Sequence, residues 1–181
     1  MLAPLAMLLL AAGPANAQGV LVDKSEIRFT ARQMGVNVEG HFRKWKANIV
    51  FLPQDLAKSR AAFDIELGSI DLASEDSEAQ VKDRLWFDIV KFPVAHFVST
   101  SLRDMGGDKY IVAGQLSLKG VVRESVVPIV VKKDAAGNRV AEGSFAIKRL
   151  EYNIGQGLWA DPDMVANEVV VRVRMVLPPA K

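Results

Sequence analysis

The chain has 181 residues, half of them hydrophobic, with 23 Lys and Arg against 21 Asp and Glu and a net charge of +2. That length supports one domain with a full core and is short for two. No lysine- or arginine-rich run forms a nucleic-acid footprint, and the absence of cysteine excludes disulfides, thiol nucleophiles, thiolate metal sites and a lipoprotein anchor.

Residues 1–17, MLAPLAMLLLAAGPANA, carry no charged side chain and end in the small-x-small pattern Ala15-Asn16-Ala17. They read as a secretory signal peptide cut before Gln18, although no Lys or Arg precedes the apolar run. The run is shorter than the roughly 20 apolar residues of a membrane span, and no later stretch is long enough. Residues 18–181 are therefore expected to form a single exported domain.

Strand patterns then dominate. SEIRFTARQ places Ile27, Phe29 and Ala31 on one face, and VNVEGHF places Val36, Val38, Gly40 and Phe42 on one face. ANIVFLP stops at Pro53, and RAAFDIELGSIDL follows. Residues 74–92 interrupt the strands. Their acidic start suits a helix dipole, Ser74 or Ser77 can cap, and Val81, Leu85 and Ile89 recur at helical spacing. A short helix and then an aromatic turn ending at Pro93 are expected. VAHFVSTSLRDM meets DKYIVAGQLSLKG across the turn signal Met105-Gly106-Gly107-Asp108. ESVVPIVVKK, RVAEGSFAIKRL and NEVVVRVRMVL complete the chain. This is an all-β pattern without βαβ alternation, and it favours an antiparallel barrel over a β-sandwich.

Strand parity gives one inward face: Phe29, Val36, Val38, Phe42, Ile49, Phe63, Ile65, Phe97, Tyr110, Val112, Gly114, Leu116, Phe145, Ile147, Val171 and Val173. One bulge reverses such an assignment. Periodicity alone does not separate a packed core from a lined cavity. Met34, Phe87 and Trp159 are candidates for a hydrophobic mouth; a gap-filling methionine and an aromatic plug are the structural alternatives. Arg149, in KRLEYNIGQGLWADP, either pairs with a carboxylate inside the fold or receives an anionic head group. The histidines His41 and His96 show no metal-site spacing, and no serine sits in a nucleophile elbow. Asp71, Glu75, Asp76 and Glu78 read as a solvated turn at the helix start.

Read in order, "QMGVNVEGHF", "SID", "DRLWFDIVKFPVAHFVST", "YIVAGQLSLKGVVRESVVPIVV" and "KRLEYNIGQGLWAD" resemble the YceI-like family of secreted bacterial proteins, over about residues 20–177. The resemblance implies an eight-stranded lipocalin-like barrel with a short helical insertion. It implies that the inward face and mouth residues hold a polyisoprenoid lipid or isoprenoid quinone-like molecule. A periplasmic location, a possible homodimer and no catalytic residues, cofactor or metal are also implied. Two rival readings are a periplasmic interaction module without a ligand and an enzyme acting on an isoprenoid-like substrate. The chain departs from the family's pattern in Leu150-Glu151, where many members carry a serine-aspartate pair, and in the apolar Leu158.

Overall fold

The computed structural model describes residues 19–179. The candidate signal peptide at residues 1–17 lies outside the described residues. The strands are β1 (Glu26–Gln33), β2 (Val36–Phe42), β3 (Trp45–Val50), β4 (Arg60–Glu66), β5 (Ile70–Asp71), β6 (Val94–Gly106), β7 (Lys109–Leu118), β8 (Val121–Lys133), β9 (Arg139–Lys148) and β10 (Glu168–Leu177). All pair antiparallel in one curled sheet of order β3-β4-β6-β7-β8-β9-β10-β1-β2-β5.

The sheet is the lipocalin-like all-β architecture expected, but it has ten strands rather than eight. The difference lies in two bends, each of which cuts one long segment into two strands. β2 runs into β3 through Arg43-Lys44, and β4 runs into β5 through Leu67–Ser69. The bends face each other. Arg43 N donates to Ser69 O (3.0 Å), Glu66 N donates to Lys44 O (3.1 Å), and the Ser69 hydroxyl accepts from Lys44 N (3.0 Å). Alternation of side chains runs through such a bend, so the apolar pattern hides it. β3 pairs with β4 and β2 with β5, so covalent continuation ties the two ends of the sheet order together.

Three hairpins turn on two residues, Met34-Gly35, Gly107-Asp108 and Lys119-Gly120, all with positive φ. This is the turn that matches strand twist. It places the β1–β2 and β7–β8 hairpin tips at one end of the sheet, here the upper end. Helix α1 (Glu75–Lys82) and the segment 149–167 also lie there. Ser74 caps α1, its side chain accepting from Ser77 N (3.4 Å), ahead of Glu75, Asp76 and Glu78. The helix stops at Lys82, before Leu85 and Ile89. Asp83 leaves the helical conformation, and its carboxylate accepts from Leu85 N (3.1 Å). A capping carboxylate outcompetes the apolar repeat.

The lower end is plugged. Phe51 and Tyr110 meet edge to face at 5.3 Å between centroids, and Arg139 lies over Phe51 (5.6 Å) while donating to Phe51 O (3.1 Å). Ile27, Ile49, Met175 and Leu177 are buried around them.

Gly114 was expected on the inward, ligand-lining face. It leaves room, but the Phe97 ring takes it: a Cβ on Gly114 would stand 2.5 Å from Phe97 Cζ and 2.6 Å from Val98 O. The missing side chain serves packing between β6 and β7. Gly114→Val is therefore expected to lower stability by about 1–3 kcal/mol through overpacking. Chemical denaturation would measure it, and an unchanged midpoint would refute the packing assignment.

Candidate functional site

The curled sheet encloses an elongated cavity of about 320 Å³. On β10 it is lined by Val169, Val171, Val173, Met175 and Leu177. Eight residues of rise span roughly 27 Å of strand, or about 20 Å along the axis of a barrel with ordinary strand tilt. The volume spread over that length is a tube about one hydrocarbon chain wide. It sits at the low end of ligand pockets, roughly 300–1,000 Å³.

Most of the inward residues expected from parity line this tube: Phe29 from β1, Val38 and Phe42 from β2, Ile49 from β3, Phe63 and Ile65 from β4, Phe97 from β6, Val112 and Leu116 from β7, Phe145 and Ile147 from β9, and Val171 and Val173 from β10. Phe87 and Trp159 line its upper end. Four expected residues do not line it. Met34 (66% exposed) is in the tight β1–β2 turn and Val36 (68% exposed) just beyond it, paired with Gln33 at the rim. Tyr110 belongs to the lower plug, and Gly114 is covered by Phe97. With Leu158 (88% exposed) and Met164, Met34 and Val36 leave apolar side chains exposed at the upper end. Met34 N donates to Met164 O (2.9 Å), which ties the hairpin to segment 149–167.

Lining residues that parity missed include Val127, Ile129 and Val131 of β8. The VVPIVV at the centre of ESVVPIVVKK is apolar at every position and so carries no readable alternation. Gln33, Ser77 and Gln80 were missed because they are polar, yet they line the upper end, Gln80 exposed and the other two half-buried. Among the described residues, no hydrogen bond engages their side-chain amides or hydroxyl. These residues mark a mouth between the β1–β2 hairpin, α1 and segment 149–167.

The helix that frames this mouth is held from outside. Arg43 pairs with Asp71 (2.8 Å) and reaches Glu78 (3.5 Å), and Glu78 accepts from Leu72 N (3.1 Å). The sequence reading of this acidic group as a solvated turn is incomplete, since Glu78 is an anchor for α1.

Arg149 meets neither of its expected partners. It is 1% exposed, and its guanidinium faces backbone carbonyls alone. Nε donates to Ala166 O (3.0 Å), Nη1 to Ile154 O (2.9 Å) and Gly155 O (3.1 Å), and Nη2 to Trp159 O (2.6 Å) and Val165 O. A guanidinium has five N–H donors, and all are used. Trp86 covers it at 5.7 Å, and Trp159 meets Trp86 at 5.7 Å. Burial holds the Arg149 pKa below its ordinary value. Gly155 touches Arg149 Nη1 where a Cβ would stand, so the loop wraps the guanidinium closely.

Elsewhere, His96 Nδ1 lies 2.6 Å from Asp64, and His41 lies 3.4 Å from Asp71. Both pairs are on the outer face. Asp64 therefore does not enter the lumen, and the two histidines do not converge.

An antiparallel curled sheet around an apolar lumen, with one end plugged and the other framed by a helix and a loop, defines a lipocalin-like protein. The chain belongs to the YceI-like family, whose domain model matches residues 20–177. It is similar to BcnA of Burkholderia cenocepacia, with 36% identity and a TM-score of 0.83 over 87% of this chain and 98% of that one. It shares its fold with a polyisoprenoid binding domain from Saccharophagus degradans implicated in plant cell wall breakdown, at 17% identity and a TM-score of 0.70 over 90% of this chain and 99% of that one. A UPF0312 protein of Pseudomonas savastanoi pv. phaseolicola is 32% identical over 132 residues, 68% of this chain and 65% of the relative. The chain thus spans just under two thirds of that relative's length.

Replacing Arg149 by Met leaves five carbonyls without their donor. The expected loss is on the order of 3–5 kcal/mol, and Arg149→Lys, with three donors and no planar fork, recovers only part of it. Equilibrium denaturation of both variants tests this, and a Lys variant as stable as the parent would refute the role of the fork.

Proposed function

We propose that the protein holds a long apolar chain of the polyisoprenoid class in its lumen, for carriage, storage or sequestration in the periplasm. The observation that carries this reading is the lumen itself: one chain wide, apolar along its length, plugged below and framed above by a polar-edged mouth. The signal-like segment 1–17 supports export, and membership of a family that shares its fold with a polyisoprenoid binding domain supports the ligand class.

The energetics suit exchange rather than capture from water. About four isoprene units, some twenty carbons, fit the roughly 20 Å of the tube, and at ~0.8 kcal/mol per carbon their transfer from water would be worth roughly 16 kcal/mol. That approaches the ceiling of roughly 18–21 kcal/mol for non-covalent affinity. A lipid leaves a membrane, not water, and its hydrocarbon gains little in moving from one apolar medium to another. Shape fit and the head group then set the balance, and the ligand stays exchangeable.

Binding rather than catalysis is supported by the lining. Its charged side chains are Arg60 and Arg149, and the Arg149 donors are fully engaged. The cavity is lined by no carboxylate or histidine among the described residues, so it holds no acid-base pair.

Val171 faces Phe29 and Phe145 across its neighbours in the middle of the tube. Val171→Trp should block the tube and cut the lipid recovered by solvent extraction of purified, exported protein at least about tenfold, with the circular dichroism spectrum unchanged. Equal lipid loads in variant and parent, read by mass spectrometry, would refute the lumen as the binding site.

A further inference from the structure

The charges around the mouth bear on which head group it accepts. Resting on the reading of the lumen as an isoprenoid site, we propose that the mouth selects an uncharged hydrogen-bonding head group, a carbonyl or a hydroxyl, and rejects a phosphate or diphosphate.

A phosphate site needs an unengaged cation or a set of free backbone N–H groups. At the upper end Arg149, Lys119 and Lys82 are all engaged. Arg149 is the only cation lining that end among the described residues, and its five donors all go to carbonyls. Lys119, at the β7–β8 turn, gives its ammonium to Arg84 O (3.0 Å) and Asn153 O (2.7 Å). Lys82, at the end of α1, lies 3.8 Å from Glu78. The other lining cation, Arg60, opens β4 opposite Val50 at the lower end, a lumen's length away. The N-terminus of α1 is filled by its own Ser74 and faces its own acids.

The charges around the mouth are net acidic. α1 and segment 149–167 carry Glu75, Asp76, Glu78, Glu151, Asp161 and Asp163 against Lys82 and the engaged Arg149, and the β1–β2 hairpin adds Arg32 and Glu39. A diphosphate held there would lose water and find no free charged donor among these groups to replace it. The polar groups that do line the mouth are neutral. Gln33 and Gln80 each offer an amide carbonyl and two N–H donors, and Ser77 offers a hydroxyl. Amide donors suit a carbonyl head; the amide oxygens and the serine suit a hydroxyl head. Each leaves the apolar tail free to run down the tube.

The test uses the mature chain and four probes with matched tails: a prenyl alcohol, a prenylated benzoquinone, the corresponding prenyl diphosphate, and squalene as a chain without a head group. Quenching of Trp86 and Trp159, both on the lumen, reads binding as probe is delivered from neutral vesicles. The alcohol and the quinone are expected to bind at least about tenfold more tightly than the diphosphate. Raising the salt concentration should narrow that gap by improving the diphosphate alone. In the Gln33→Ala, Gln80→Ala double variant, the advantage of the alcohol over squalene should fall by about tenfold while squalene binding stays the same.

A diphosphate that binds as well as the alcohol overturns the inference. If all four probes bind alike, the lumen reading stands and selection at the mouth is refuted. If not even squalene binds, the isoprenoid reading fails and the inference with it.

Discussion

The upper end of this protein depends on one buried cation with no counter-ion. The 149–167 segment contains little regular structure, and its carbonyls have few partners in the sheet. Arg149 enters the middle of that segment and collects five of those carbonyls, from Ile154 to Ala166, on one rigid plane. Carbonyl dipoles replace both the water and the carboxylate that a buried guanidinium normally requires. Trp86 closes the face of the plane, and Trp159 packs on Trp86. The aromatic turn and the long loop are thereby fixed to each other, and the mouth has a defined frame. A carboxylate partner would have held the arginine but left the loop free.

The lumen exists because the sheet curls without its interior filling. The bends at Arg43-Lys44 and Leu67–Ser69 let two long segments turn and pair with each other, which brings the ends of the sheet order together. Large aromatics could then choke the space, but Phe97 lies back against Gly114 rather than across the tube. The lower end receives a plug of Phe51, Tyr110 and Arg139. What remains is a narrow apolar tube with an aromatic cluster at its lower end.

Such a tube is indifferent to most of the chemistry of its ligand. Hydrocarbon in a lumen and hydrocarbon in a bilayer have nearly the same free energy, so the tail supplies retention in water and little selectivity. On the proposed reading, selectivity falls to the few polar groups at the mouth. The saturation of Arg149 is a structural fact. The same bonds that hold the loop leave its guanidinium no N–H donor for a ligand.

Alternation in SEIRFTARQ, DKYIVAGQLSLKG and NEVVVRVRMVL was enough to establish an all-β antiparallel protein and the inward parity of β1, β7 and β10. Apolar and polar side chains largely alternate across the pleat there, so period two is visible in one dimension. The glycine-bearing turns and the Ser74 cap were legible for the same local reason. The ordered motifs were enough to point to the family. Other features lie outside local pattern. Val36 keeps the parity of Val38 but sits exposed at the hairpin end of its strand, and parity is blind to where a barrel ends. β8 is apolar on both faces, so its lumen side is decided by its neighbours. Gly114 looks like empty space in sequence, and only the register of β6 against β7 shows that Phe97 fills it. The partners of Arg149 are backbone carbonyls, which every residue has and no sequence marks. By itself the sequence determined the strands, their class and the greasy face. The tertiary structure alone decided that this face lines a tube, where the tube opens, and that its buried upper cations, Arg149 and Lys119, are already engaged, because those outcomes depend on groups brought together from distant parts of the chain.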